Sequence, residues 1–75
     1  MDIRSIRAMS DEVLFDAIED KREELFNLRF QMASGKLEDT NLLRYAKRDM
    51  AQLLTIQRER ELAVQIAEEE TSDGE

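Results

Sequence analysis

The sequence predicts an all-α protein: a long antiparallel two-helix hairpin of coiled-coil type. A short helical turn precedes it and a disordered acidic tail follows. Three observations carry this reading. Apolar residues recur at spacings of three and four on both sides of the chain's midpoint. Proline is absent, and Gly35 is the one glycine before Gly74. Cap-forming side chains, Ser10 and Asp39 or Thr40, stand where the two helices should begin.

Taken in order, residues 2–8 are short and mixed, enough for one turn of helix. Ser10 is a good N-cap, and Asp11 and Glu12 follow in the first turn, where the helix dipole favours acids. From there Leu14, Ile18, Leu25, Leu28 and Met32 form an apolar stripe that only Lys21 interrupts. Gly35 tolerates the left-handed backbone that ends helices. A helix from about residue 11 to 33 is roughly 35 Å long.

Asp39 or Thr40 caps the second helix. Its stripe reads Leu43, Ala46, Met50 and Leu53, then Val64 and Ala67, with Gln57 and Arg60 interrupting. Folding back across a turn near Lys36 sets Leu28 by Ala46, Leu25 by Asp49 and Met50, Ile18 by Leu54 and Ile56, and Leu14 by Arg60. The same register expects Asp16 to meet Arg58, and Glu12 to meet Arg60. Past about residue 63 the second helix has no partner in the first. The expected division is a hairpin domain over 1–66 and a tail over 67–75, where like charges without aromatics stay solvated.

A chain of 75 residues allows one domain with a marginal core. Without cysteine it has no disulfide to help, and it suits a reducing cytoplasm. Without histidine or cysteine it lacks the usual nucleophile–base pairs and the commonest metal ligands. No glycine-rich phosphate loop and no apolar run of membrane-spanning length occurs. Glu12, Asp16, Asp20 and Glu24 stack at four-residue spacing, but one ridge points its carboxylates in parallel rather than around an ion. The expectation is a non-enzyme with no cofactor, no metal, no membrane and no small-molecule substrate.

The net charge of −7 is unevenly spread. Residues 1–25 hold four bases against eight acids, residues 26–60 seven bases against four acids, and residues 61–75 six acids and no base. Positive charge therefore gathers at the turn and along the second helix, in Arg29, Lys36, Arg44, Lys47, Arg48 and Arg58. Arg44 and Arg48 are one helical turn apart, with Thr55 and Arg58 continuing on roughly the same side. Asn41 and Gln52 add neutral donors, and Phe26, Phe30 and Tyr45 lie near. Bases so arranged can reach successive phosphates, and folded RNA is often gripped by shape plus a stacked ring. The same pattern also describes an ordinary solvated helix face. Phe15, Phe26, Phe30, Leu37, Leu42, Leu54, Leu62 and Ile66 exceed what one two-helix seam can bury, so a further surface should be covered by self-association or by a larger assembly.

The segment Glu23 to Glu38 has the core Glu-Glu-Leu-Phe-Asn-Leu-Arg-Phe-Gln followed by Ala-Ser-Gly-Lys-Leu-Glu. It resembles bacterial large-subunit ribosomal protein twenty-nine. Leu43 to Leu53, continued by Thr55 to Arg60, is similar to the basic helix of that family, and the likeness covers about residues 3–62. Thr40 stands where a proline often opens the second helix, Met50 where a branched aliphatic is usual, and Glu68 to Glu75 extend past the common core. The resemblance implies a helical hairpin in the cytoplasmic ribosome, bound to large-subunit (23S-type) ribosomal RNA near the polypeptide exit tunnel. Ribosomal protein twenty-three is the implied neighbour, with exit-site factors such as nascent-chain chaperones or the targeting particle within reach. By position it implies Asn27, Arg29, Gln31, Arg44, Lys47, Arg48, Thr55 and Arg58 as the RNA-facing set, and Lys36 joins them from the basic cluster at the turn. The alternative from a different class is an acidic helical-hairpin adaptor that self-associates or binds a partner helix.

Overall fold

A computed structural model describes residues 1–73, with side chains to Glu68. It holds three helices: α1 (Ile3–Arg7), α2 (Asp11–Ala33) and α3 (Asn41–Asp73). The two long helices pack against each other as the expected antiparallel hairpin, in a rod of 60 × 22 × 18 Å.

The helix ends follow from local chemistry. Ser10 Oγ accepts from the Val13 amide at 3.2 Å and opens α2. At the far end Gly35 takes φ +75°, its amide donates to the Met32 carbonyl at 3.2 Å, and the Lys36 amide donates to the Gln31 carbonyl at 2.8 Å. Those two bonds make a Schellman stop and satisfy carbonyls that the helix leaves open. Of the two candidate caps for α3, Asp39 does the work: its Oδ1 accepts from the Asn41 amide at 2.9 Å.

The core is wholly apolar and wholly aliphatic or thioether. Leu14, Ile18, Leu25 and Leu28 of α2 meet Leu43, Ala46, Met50, Leu53 and Ile56 of α3, and Ile6 of α1 completes the cluster. Met32, expected in this seam, is 51% exposed. It shares the azimuth of the buried stripe, but it sits one turn from the stop, where the chain has begun to reverse. Val64, expected to continue the α3 stripe, is exposed, as is Ala67. The physical reason is length: α2 begins opposite Arg60, so α3 overruns it by about 20 Å. Residues 67–75, expected as an acidic tail, enter only as helical backbone of α3 up to Asp73. Their side chains from 69 onward, and residues 74–75, lie outside those described.

The one-turn segment α1 is more than a leader to the hairpin. Asp2 caps it by accepting from the Arg4 amide at 3.1 Å, and Ile6 is completely buried. The Met1 α-amino group meets Asp49 at 2.8 Å and Arg7 meets Glu59 at 3.7 Å, so α1 runs parallel to α3 along one flank. Arg60 locks the junction. Its guanidinium donates to the carbonyls of Arg7 at 3.3 Å and Met9 at 2.7 Å, and to Asp11 Oδ1 at 2.7 Å. The expected pairs Glu12–Arg60 and Asp16–Arg58 are thus replaced. Asp11 at the helix start reaches Arg60, and Arg58 turns along its own helix to Glu61 at 3.1 Å.

Candidate nucleic-acid interface

Helical periodicity sorts the candidate side chains onto faces. The buried stripe of α3 leaves Arg44, Arg48, Ala51, Thr55, Arg58 and Leu62 on the opposite, solvent-facing stripe, three and four residues apart. The sequence expectation that Arg44, Arg48, Thr55 and Arg58 share a side therefore holds on the helix. Lys47 lies on a flank of that stripe, two residues and 200° from Asp49.

On α2 the expected trio divides. Asn27 and Gln31 are one turn apart and continue the line of Asp20 and Glu24. Arg29 lies on the other flank, in line with Arg22 and Phe26. A chain of charges identifies the flanks. Lys21 Nζ meets Glu24 at 2.6 Å and Asp49 at 3.4 Å, and Asp49 meets Met1, so Asn27 and Gln31 share the side that carries α1. Arg29 and Lys47 share the opposite one. Lys36 stands apart from both, in the turn itself. Every member of the expected set is exposed.

The electrostatics separate these bases from the rest. Arg7, Lys21, Arg22, Arg58 and Arg60 all have carboxylate partners. Among the described residues Arg4, Arg29, Lys36, Arg44, Lys47 and Arg48 have none, either as an ion pair or as a side-chain hydrogen bond. All but Arg4, which lies on α1, fall between residues 29 and 48, around the turn and the first two turns of α3. Of the expected basic set, only Arg58 is already occupied. The paired groups are tuned instead. The Asp49 carboxyl is held below its usual range, chiefly by the hydrogen bond from the Met1 α-amino group, with Lys21 adding to it. The Lys21 ammonium is held above its usual range, chiefly by its hydrogen bond to Glu24.

Phe26, Phe30 and Tyr45 lie on the same stretches of helix as the unpaired bases of α2 and α3, and Phe15 lies near the far end of α2; none is in the core, each being more than half exposed. Unpaired guanidinium groups on the outward stripe of α3, with further bases on one flank and at the turn, can neutralise phosphates, while the amides on the other flank and the open rings can meet sugars and bases. Three or more His, Cys, Asp or Glu side chains nowhere converge on a common point among the described residues. Sequence reasoning missed the part played by α1, which lays Ile3 and Arg7 beside Arg48, Gln52 and Thr55. The spacing of Ile3 and Ile6 behind Asp2 was the available signal.

Comparison with known proteins places these features in a wider set. Residues 4–60 match the family model described as Ribosomal L29 protein. The chain is 45% identical over 69 residues to the large ribosomal subunit protein uL29 of Saccharopolyspora erythraea, covering 92% of this chain and 86% of that protein. It is 43% identical over 63 residues to the protein of the same name from Streptomyces griseus, covering 84% and 85%. The corresponding protein of Thermotoga petrophila is 44% identical over 64 residues, covering 85% and 97%.

Proposed function

The chain belongs to the ribosomal L29 protein family, and from that premise we propose that it is a structural, non-catalytic constituent of the large ribosomal subunit that binds ribosomal RNA. The hairpin is the rigid part. Its turn and the outward stripe of α3 form the contact surface, with Arg29, Lys36, Arg44, Lys47 and Arg48 on phosphates and Asn27, Gln31 and Thr55 on sugars or backbone oxygens. Arg58 joins them once it leaves Glu61. The observation that carries this reading is the gathering of five of the six bases without carboxylate partners between residues 29 and 48, in a chain where acids outnumber bases 18 to 11. Residues 26–60 hold only four acids, so this local excess of positive charge is left for an outside anion to neutralise.

The site near the polypeptide exit tunnel and the contact with ribosomal protein twenty-three rest on the family alone. The exposed Phe15, Phe26 and Phe30 supply an apolar shoulder of the kind such a neighbour, or an exit-site factor, would cover. Co-sedimentation with large subunits from a bacterial extract tests the whole proposal, and absence from that fraction overturns it. Salt distinguishes it from a self-associating adaptor. Binding through phosphates weakens steeply as salt rises, whereas an apolar helix interface holds or tightens.

A further inference from the structure

Along the flank of α3 that carries α1 runs a groove walled by Ile3 and Arg7 on one side and by Arg48, Gln52, Thr55 and Glu59 on the other. Arg7 and Glu59 face each other at 3.7 Å and satisfy one another's charge. Arg48 has no carboxylate partner among the described residues. Thr55 Oγ1 donates to the Ala51 carbonyl at 2.7 Å, which leaves its lone pairs available to accept. Gln52 is the anomaly. Its Oε1 is sealed from solvent and has no hydrogen-bond partner. An amide oxygen in that state has given up its water without replacement, so the resting rotamer is costly. A turn of this flexible side chain into the groove is favoured as soon as a donor is offered there.

We propose that this groove is a ribonucleotide subsite, in which Gln52 accepts a hydrogen bond from a ribose 2′-hydroxyl or a base N–H while Arg48 meets the adjoining phosphate. The groove offers one uncompensated cation beside two acceptors, and a nucleotide carries the matching anion and donors within one residue. It also opens onto the outward stripe of α3, so a strand tracking Arg44 and Arg48 passes its mouth. The subsite rests on the RNA-binding reading above and adds to it a contact that responds to sugar or base rather than to charge.

The test uses the full chain, purified bacterial large-subunit ribosomal RNA as probe, and filter binding across a salt series. Thermal unfolding of each protein runs in parallel. Gln52→Met keeps length and helix propensity but removes the amide. The expected result is unfolding at or above the wild-type temperature, with affinity about tenfold lower, the scale of one lost hydrogen bond. The dependence on salt should stay unchanged. Arg48→Gln should instead reduce the slope of log affinity against log salt by about one. Wild-type affinity in Gln52→Met overturns the subsite, and so does a fall in unfolding temperature that tracks the affinity, because the role is then structural. A wild-type chain that shows no salt-dependent binding to this RNA overturns the RNA-binding reading itself, and the subsite with it.

Discussion

At the scale of residues, what sets this chain apart is how its carboxylates are shared out. Lys21 alone touches two of them, Glu24 and Asp49, while Arg44, Lys47 and Arg48 touch none. Reversing two of the unpaired charges should therefore cost binding without costing the fold. Arg44→Glu with Arg48→Glu is expected to keep the helical circular dichroism and unfolding temperature of the wild type while blocking incorporation into large subunits. Unchanged incorporation would move the RNA face elsewhere. Asp49 behaves in the opposite way. Its folded-state carboxyl lies below its ordinary 3.8, so its stabilisation is fully present above that value and is lost as pH falls through the depressed one. Asp49→Asn should lower the unfolding temperature at neutral pH and flatten its decline between about pH 5 and about pH 2. An acid limb as steep as that of the wild type would remove Asp49 from the account. The residue types of the site were legible in the sequence, because bases clustered against an acidic background stand out. The pairing of Arg58 with Glu61 was not. Side-chain rotamers choose between neighbours on the same helix and across the seam, and spacing alone does not.

At the scale of elements, α2 could be read almost to the residue, and so could the start of α3, but α3 runs on to Asp73, past the expected hairpin boundary at residue 66. The legible ends rest on side chains with one strong local option, Ser10 and Asp39 as caps and Gly35 as stop. Gly35→Ala tests that logic. A Cβ there meets nothing within 4 Å, so only the left-handed backbone at φ +75° resists it. The expected cost is about 1 kcal/mol, read as a drop of roughly 4–8 °C in unfolding temperature for a domain this size. The seam is less forgiving. Leu53 is completely buried, and Leu53→Ala should cost about 2–5 kcal/mol. A single core this small rarely supplies more than about 3–5 kcal/mol in all. That variant should therefore be largely unfolded at 37 °C by circular dichroism, and a cooperative, near-wild-type transition would refute the assignment. Two further features of the elements escaped the sequence. The Ile3–Ile6 spacing behind Asp2 signals a helical turn, but one turn has too few residues to show which of the two packs, so the burial of Ile6 over Ile3 was hidden. Periodicity also continues past the end of a partner helix, which is why Val64 looked like core.

At the scale of the whole molecule, α3 is half as long again as its partner, and charge changes sign along the rod. The basic band lies at the turn, and residues 61–73 toward the far end of α3 carry five acids and no base. An acidic end repels a polyanion that the basic end attracts, so under the proposed RNA-binding role the approach would be oriented before contact is made. That orienting field is screened by salt over a Debye length of about 8 Å at physiological ionic strength. Raising salt should accordingly slow association of the full chain with ribosomal RNA as well as weaken it, measurable by stopped flow. An association rate insensitive to salt would argue against the asymmetry having any part in docking. The fold class, the reversal and the charge split could all be read from the sequence, being properties of pattern and sum. The splitting of Asn27 and Gln31 from Arg29 onto separate flanks could not be placed until the seam had fixed how α2 is rotated.

The exclusion of every aromatic ring from the core has a practical outcome for observing this protein. Folding moves aliphatic side chains out of water and leaves Tyr45, its only tyrosine, more than half exposed on α3. Near-ultraviolet signals from the isolated chain are thus poor reporters of whether it is folded. Beside Arg44, the same ring stands where the polynucleotide is expected to arrive. With no tryptophan to mask it, its emission serves as an intrinsic, label-free gauge of docking.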